Sequence, residues 1–146
     1  QLILTHENTD FDALASQLAA WKLYHHAQPV LPRRLNRNVR DFITLYTDEL
    51  PFVHYEDLPR RIEVDLIVLV DTQNLVTPKG MSGDTAVQIV DHHLLTRELP
   101  PNWTYSGGEA GATTTLLLEK LIAARLPLTP IEATLLALGI YEDTGR

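Results

Sequence analysis

The chain of 146 residues has no cysteine, which excludes a disulfide framework, a thiolate metal site and a cysteine nucleophile together. It has no apolar stretch approaching the ~20 residues of a membrane span. Gln1–His6 lacks the basic start and small-residue cleavage site of a secretory leader. Positive charge is scarce: 12 Lys and Arg against 19 Asp and Glu give a formal net charge of −7. A general nucleic-acid coat would be basic, whereas an enzyme that takes a phosphate substrate through metal ions need not be. No Gly-x-Gly-x-x-Gly follows the first apolar run, which disfavours a plain dinucleotide-binding domain. Repeats, low-complexity tracts and linkers are also missing.

What remains is the make-up of one ordinary globular domain, 45% hydrophobic and 21% charged. A chain of this length buries roughly 68–70% of the surface its unfolded form exposes, so it needs no staple. A soluble, cytoplasmic setting is expected. Both ends read as cut: Gln1 opens directly on an apolar run with no initiator Met, and Gly145-Arg146 follows at once on an acidic segment. Residues 1–146 are therefore expected to be one domain of something longer.

Short β-type runs alternate with helical patterns. Leu2-Ile3-Leu4 is a brief apolar run, and Phe11, Leu14, Ala15, Leu18, Ala19 and Leu23 recur at three- and four-residue steps, predicting an amphipathic helix from Asp10 to about His26. Pro29–Pro32 reads as a short strand, Asn36 or Asn38 as the cap of a helix over Val39–Leu45, and Phe52–Tyr55 as an edge strand. Leu66–Val70 is an unbroken branched apolar run, as a strand covered on both faces requires. Ala86–Val90 and Trp103–Ser106 follow as strands, then helices at about Ala112–Ala124 and Thr129–Tyr141, the last opening with a cap, a first-turn proline and an acid. This alternation predicts an α/β fold: a mostly parallel sheet with helices on both faces. In such folds ligands bind beyond the carboxyl ends of the strands.

Those positions carry an unusual set of residues. His6-Glu7-Asn8-Thr9-Asp10-Phe11-Asp12 follows the first strand, Asp71 the strongest, Asp91-His92-His93 the next, and Glu142-Asp143-Thr144-Gly145 the last helical run. Singly, each has a plain explanation. Asp10 suits a helix N-cap and Asp12 a first-turn acid, Asp71 merely ends a strand, and histidine pairs such as His25-His26 and His92-His93 are common on surfaces. Together they place carboxylates and imidazoles at one sheet edge, where the acids would repel one another or take up protons. A pair of divalent cations removes that conflict, since four aspartates balance two such ions. Oxygen-rich ligation with one or two imidazoles suits Mn²⁺, with Mg²⁺ as the other option, better than a structural zinc site.

His6-x-x-x-Asp10-x-Asp12-Ala13, Asp71, Asp91-His92-His93 and Asp143, in that order, resemble the four ordered motifs of the DHH phosphoesterase superfamily across the whole chain. That superfamily includes manganese-dependent pyrophosphatases, exopolyphosphatases, RecJ-type exonucleases, oligoribonucleases and cyclic-dinucleotide phosphodiesterases. The resemblance implies a DHH-type α/β/α catalytic domain whose substrate-choosing second domain would lie after Arg146. It implies one metal on His6, Asp10 and Asp71 and a second on Asp12, Asp71, His92 and Asp143, with Asp71 bridging. His93 would face the substrate phosphate and Asp91 would orient a histidine. The implied reaction is hydrolysis of a phosphodiester or phosphoanhydride by water activated between two metals, with His93 and Asp71 at its centre. A histidine at position 6 is unlike RecJ-type members.

Many relatives read Asn-Pro-Asp-Gly-Asp where this chain has Asn8-Thr9-Asp10-Phe11-Asp12; Phe11 is therefore expected to pack into the core. Leu31–Arg33, Asn36–Phe42 and Gly139–Gly145 resemble the subgroup in which such a domain precedes CBS domains and a poly(A)-polymerase or tRNA-nucleotidyltransferase-like region. The alternative that follows is a metal-binding regulatory module of an RNA-modifying protein. Expected partners are a phosphate-containing small molecule or short oligonucleotide, RNA through other domains, a possible second copy in a homodimer, and no membrane. Arg33, Arg34, Arg37 and Arg40 read as a solvated helix start that could receive phosphates. Gly107–Thr114 reads as a turn or as backbone N–H groups offered to an anion. Trp21, Trp103 and Tyr141 read as packing residues.

Overall fold

A computed structural model describes residues 1–145. Six parallel strands, β1 (Leu2–Leu4), β2 (Gln28–Leu31), β3 (Val53–His54), β4 (Leu66–Val70), β5 (Ala86–Asp91) and β6 (Trp103–Gly107), form one sheet in the order β3-β2-β1-β4-β5-β6. The α-helices are α1 (Phe11–Leu23), α2 (Arg37–Leu45), α3 (Thr113–Ala123) and α4 (Pro130–Thr144). The predicted parallel α/β architecture is the one observed. No helix among the described residues is long and apolar enough to cross a membrane.

Alternation along the strands divides the core in two. Ile3, Leu31, Val68, Val70 and Val90 face a layer built by Leu14, Leu18, Val39, Phe42, Leu117, Leu121, Leu135 and Leu136, so all four α-helices contribute to one face. Leu2, Val30, Ile67, Leu69, Val87 and Ile89 face the other way, onto Leu58, Ile62, Leu75, Met81 and Leu99. That second face is closed by a 3-10 turn at Tyr55–Asp57 and by connecting segments, where helices were also expected. Right-handed crossovers running from β1 towards β3 fall on one face, and those running from β4 towards β6 on the other. The latter segments carry Pro78, Gly80, Gly83, Pro100 and Pro101, which break helices.

Helix α1 is buried along nearly its whole length rather than on one stripe, because Ala13, Ala15, Ser16, Ala19 and Ala20 let α3 and α4 approach its outer side. It ends at Leu23, short of the predicted His26. The cap of α2 is Asn36, whose side chain accepts from the Asn38 amide. Phe11 packs against the core, edge-on to Phe42 at 5.8 Å. Trp21 and Trp103 are partly buried against the two core layers. Tyr141 does not pack: it is 61% exposed. On α4 the buried residues are Glu132, Leu135, Leu136 and Gly139, and a residue two places after 139 turns about 200° away from them.

Candidate metal centre

The strand order reverses direction between β1 and β4, and such a switch point opens a crevice at the carboxyl edge of the sheet. The loop after β1 is fixed there by its own polar groups. Thr9 Oγ1 donates to the His6 carbonyl, the Asn8 amide to the Arg34 carbonyl and the Asn36 amide to the Thr9 carbonyl, and Glu7 accepts from the Arg34 amide. Asn8 takes a left-handed φ of 58°, which asparagine tolerates. His6, Asp10 and Asp12 thus leave a rigid loop in sequence, Asp10 also capping α1 through the Ala13 amide at 3.0 Å.

Asp71 follows β4 and is the centre of the arrangement. Its φ of 59° is left-handed, a strained conformation for a side-chain-bearing residue. Its amide still donates to the Val90 carbonyl, so the turn re-aims the carboxylate without breaking the tie to β5. Asp71 Oδ2 lies 3.4 Å from His6 Nε2, and its Oδ1 lies 3.6 Å from His92 Nε2 while accepting from Thr113 Oγ1 at 2.8 Å. His92 Nε2 also lies 3.3 Å from Asp143 and 3.9 Å from Asp12. Asp143 arrives from the last turn of α4, which runs past the predicted Tyr141 to Thr144 and stops on a left-handed Gly145.

Three groups result among the described residues, His6 with Asp10 and Asp71, Asp12 with His92 and Asp143, and Asp71 with Asp91, His92 and His93, the ligand atoms within each lying within 4.8 Å of one another. Asp71 touches both His6 and His92 and so lies between them. The predicted residues converge. His93 stands at the rim, its side chain 63% exposed, with Nδ1 2.8 Å from the buried Asp91 carboxylate.

The donor chemistry calls for cations. His92 Nδ1 faces the Ala110 carbonyl at 3.1 Å, which can only accept, so Nδ1 carries the proton and Nε2 presents a lone pair. That Nε2 is buried, surrounded by three carboxylates and without a hydrogen-bond partner among the described residues. A divalent ion between these groups satisfies all of them. His6 repeats the pattern, its Nδ1 on the Glu7 carbonyl and its Nε2 towards Asp71 and Asp10. Without an ion its pKa is raised to about 9, chiefly by the hydrogen bond to Asp71 and against the pull of burial. Burial, reinforced by neighbouring aspartates, pushes Asp143 up to about 6 and Asp71 also upward. Neighbouring carboxylates add to all three shifts in the same direction, behind burial for Asp143 and Asp71.

Several supporting residues escape a reading of the sequence. Thr113 and Thr114 hold Asp71 and Asp12, and Gln73 holds Asp91 at 3.2 Å. The N-terminal amides of α3 do meet an anion, but it is Asp12: its carboxylate accepts from the Thr113 and Thr114 amides at 2.9 and 2.8 Å. Ala112, at the cap position, offers no side chain to them. A run of three threonines, Thr113-Thr114-Thr115, opening a helix behind a glycine-rich turn is the one signal that points there. The four arginines are exposed, with Arg33 3.8 Å from Glu56.

The model of the DHH family's N-terminal domain matches residues 1–140. The chain is 37% identical, over 99% of its length, to an A-adding tRNA nucleotidyltransferase of Geobacter sulfurreducens, and 33% identical over all of it to one of Aquifex aeolicus. It spans 17% of the length of each. Among solved structures, a Methanococcus jannaschii protein described as a family II inorganic pyrophosphatase superposes with a TM-score of 0.71 at 20% identity, covering 99% of this chain and 48% of its own. An exopolyphosphatase-related protein from Bacteroides fragilis gives 0.69 at 19% identity, with 99% and 46% covered. These two likenesses are of fold.

Proposed function

The chain belongs to the DHH family, as an N-terminal domain of that family, and from that premise we propose that it hydrolyses a phosphodiester or phosphoanhydride with two divalent ions, Mn²⁺ in preference to Mg²⁺. The carrying observation is the buried, unpartnered His92 Nε2 set among Asp12, Asp71 and Asp143. His6, Asp10 and Asp71 would hold one ion, and Asp12, His92, Asp143 and the shared Asp71 the other. Imidazole beside carboxylate favours Mn²⁺ over Mg²⁺. When bound, such ions supply positive charge against the phosphoryl oxygens and acidify a water nucleophile.

The chain's own residues do the rest. Asp71, held by Thr113 and by its turn, keeps the two halves of the site at a fixed separation. The Ala110 and Glu7 carbonyls fix the tautomers of His92 and His6, leaving each Nε2 free to coordinate. Asp91, itself held by Gln73, fixes His93 through Nδ1, leaving Nε2 as its free nitrogen, and raises that histidine's pKa. His93 is thereby a proton donor placed for a phosphoryl oxygen or the departing oxygen.

The test is phosphate release from pyrophosphate and from short oligoribonucleotides, with Mn²⁺ and with chelator, by the wild type and by Asp71→Asn. We expect metal-dependent turnover that falls at least a hundredfold in the variant. Near-normal hydrolysis by Asp71→Asn would falsify the scheme. The relatives' names support a second reading, a metal-binding regulatory module within an RNA-modifying protein. Mn²⁺ binding with no hydrolysis of either substrate selects it.

A further inference from the structure

A cavity of about 580 Å³ opens beside the metal centre, on the other side of His6. Its walls are carbon-rich: Leu4 at the end of β1, Val30 and Leu31 at the end of β2, and Leu75 and Val76 in the segment after β4. Tyr55 closes one side with its ring fixed, because its hydroxyl accepts from the Lys79 amide at 2.8 Å and the Lys79 ammonium lies 5.4 Å from the ring centre. Thr5, Glu7, Arg33, Thr72, Asn74 and Thr77 add polar groups to the lining. Arg33 is tied only to an exposed Glu56 at 3.8 Å, and the Asn74 side-chain amide has no partner among the described residues.

Pyrophosphate and polyphosphate are polar throughout and gain nothing from such a wall, whose burial rewards apolar or aromatic surface. The volume lies within the roughly 300–1,000 Å³ range of small-molecule sites. A nucleoside fits both halves of the chemistry: a flat base with a π-face for Tyr55 and the aliphatic walls, and hydrogen-bonding edges for Asn74. The position also fits, because the cavity shares His6 with the metal centre, and Thr72 on its lining directly follows Asp71. A phosphate held beside His6 would therefore lie next to the cavity, with an attached nucleoside within reach of it.

We propose that this cavity binds the nucleoside of the substrate, which makes the substrate a nucleotide rather than an inorganic phosphate polymer. The proposal rests on the phosphoesterase reading for the phosphate's place at the ions. Binding can nevertheless be read without turnover. Wild type loaded with Mn²⁺ is titrated calorimetrically with adenosine, guanosine, cytidine and uridine 5′-monophosphates and with inorganic phosphate. At least one nucleotide should bind tenfold or more tightly than phosphate. Val76→Trp and Asn74→Trp place an indole at the mouth from exposed positions, and thermal melts check their folding. Each should bring the nucleotide-over-phosphate preference down to about one. Equal affinity for phosphate and every nucleotide in the wild type overturns the proposal, as does an undiminished preference in both variants. Loss of hydrolysis with the preference intact instead strikes the phosphoesterase reading and leaves the cavity assigned.

Discussion

Asp10 and Asp12 stand two residues apart, yet their surroundings differ sharply. Asp10 is 30% exposed and caps α1 with one oxygen. Asp12 is fully buried, and its carboxylate accepts from two amides and from the Thr114 hydroxyl at 2.6 Å. A first-turn acid and a candidate metal ligand are thus one residue, which also caps a helix a hundred residues away in sequence. Asp12→Ala leaves buried donors unsatisfied, each costing about 1–3 kcal/mol. Asp10→Ala loses one N-cap, about 1 kcal/mol. In metal-free buffer Asp12→Ala should therefore melt well below Asp10→Ala, with both losing Mn²⁺ affinity in titrations. Equal melting temperatures would refute the capping role of Asp12.

Elements explain how much of this was legible beforehand. Elements such as Leu66–Val70 and Phe11–Leu23 show in the sequence because their apolar runs are long or regular, whereas β1 and β3, of three and two residues, carry a weaker signal. The convergence of residues 6, 10, 12, 71, 92 and 93 is legible because a parallel sheet delivers every strand's carboxyl end to one edge. Asp143 is different, since α4 rather than a strand carries it. Its place depends on how α4 lies on α1, which no local pattern states. The structure shows the cause at Gly139, where a Cβ would stand 2.6 Å from the Ala15 Cβ and 2.7 Å from Thr114 Oγ1. Periodicity likewise misplaced Tyr141, and it could not show that the second sheet face lacks α-helices. Gly139→Ala should lower stability by about 1–3 kcal/mol through overpacking, more than offsetting the ~1 kcal/mol that alanine gains in a helix. By lifting α4 it should also weaken binding of the second Mn²⁺ at least tenfold, measured by calorimetric titration, with the first ion little affected. Unchanged melting and titration curves would show that the close approach does not set Asp143.

The whole molecule carries the consequence of gathering acids at one edge. Glu142 and Asp143 sit at the C-terminal end of α4, where the helix dipole disfavours negative charge. Glu142, raised by burial, and Asp143, raised to about 6, hold their protons more tightly than an unfolded chain does. A folded state that binds more protons loses stability as pH rises. Metal-free stability should therefore fall between about pH 4 and 6 as Asp143 ionises. It falls again from 6.5 to about 9 as His6, protonated in the folded chain, loses its proton. Both steps run the same way, because each removes a positive charge from a site already too negative. Divalent ions should reverse the trend, since they compete with those protons. The stabilisation by Mn²⁺ should thus grow from pH 5 to pH 8. Near pH 7.5, binding should release about one proton, from His6, detectable by calorimetry in buffers of different ionisation enthalpy. In Asp143→Asn the lower step should flatten while the upper one persists. If chelator-treated wild type instead becomes steadily more stable from pH 5 to pH 9, the site is not an unbalanced cluster of acids, and the ions would have no electrostatic deficit to fill.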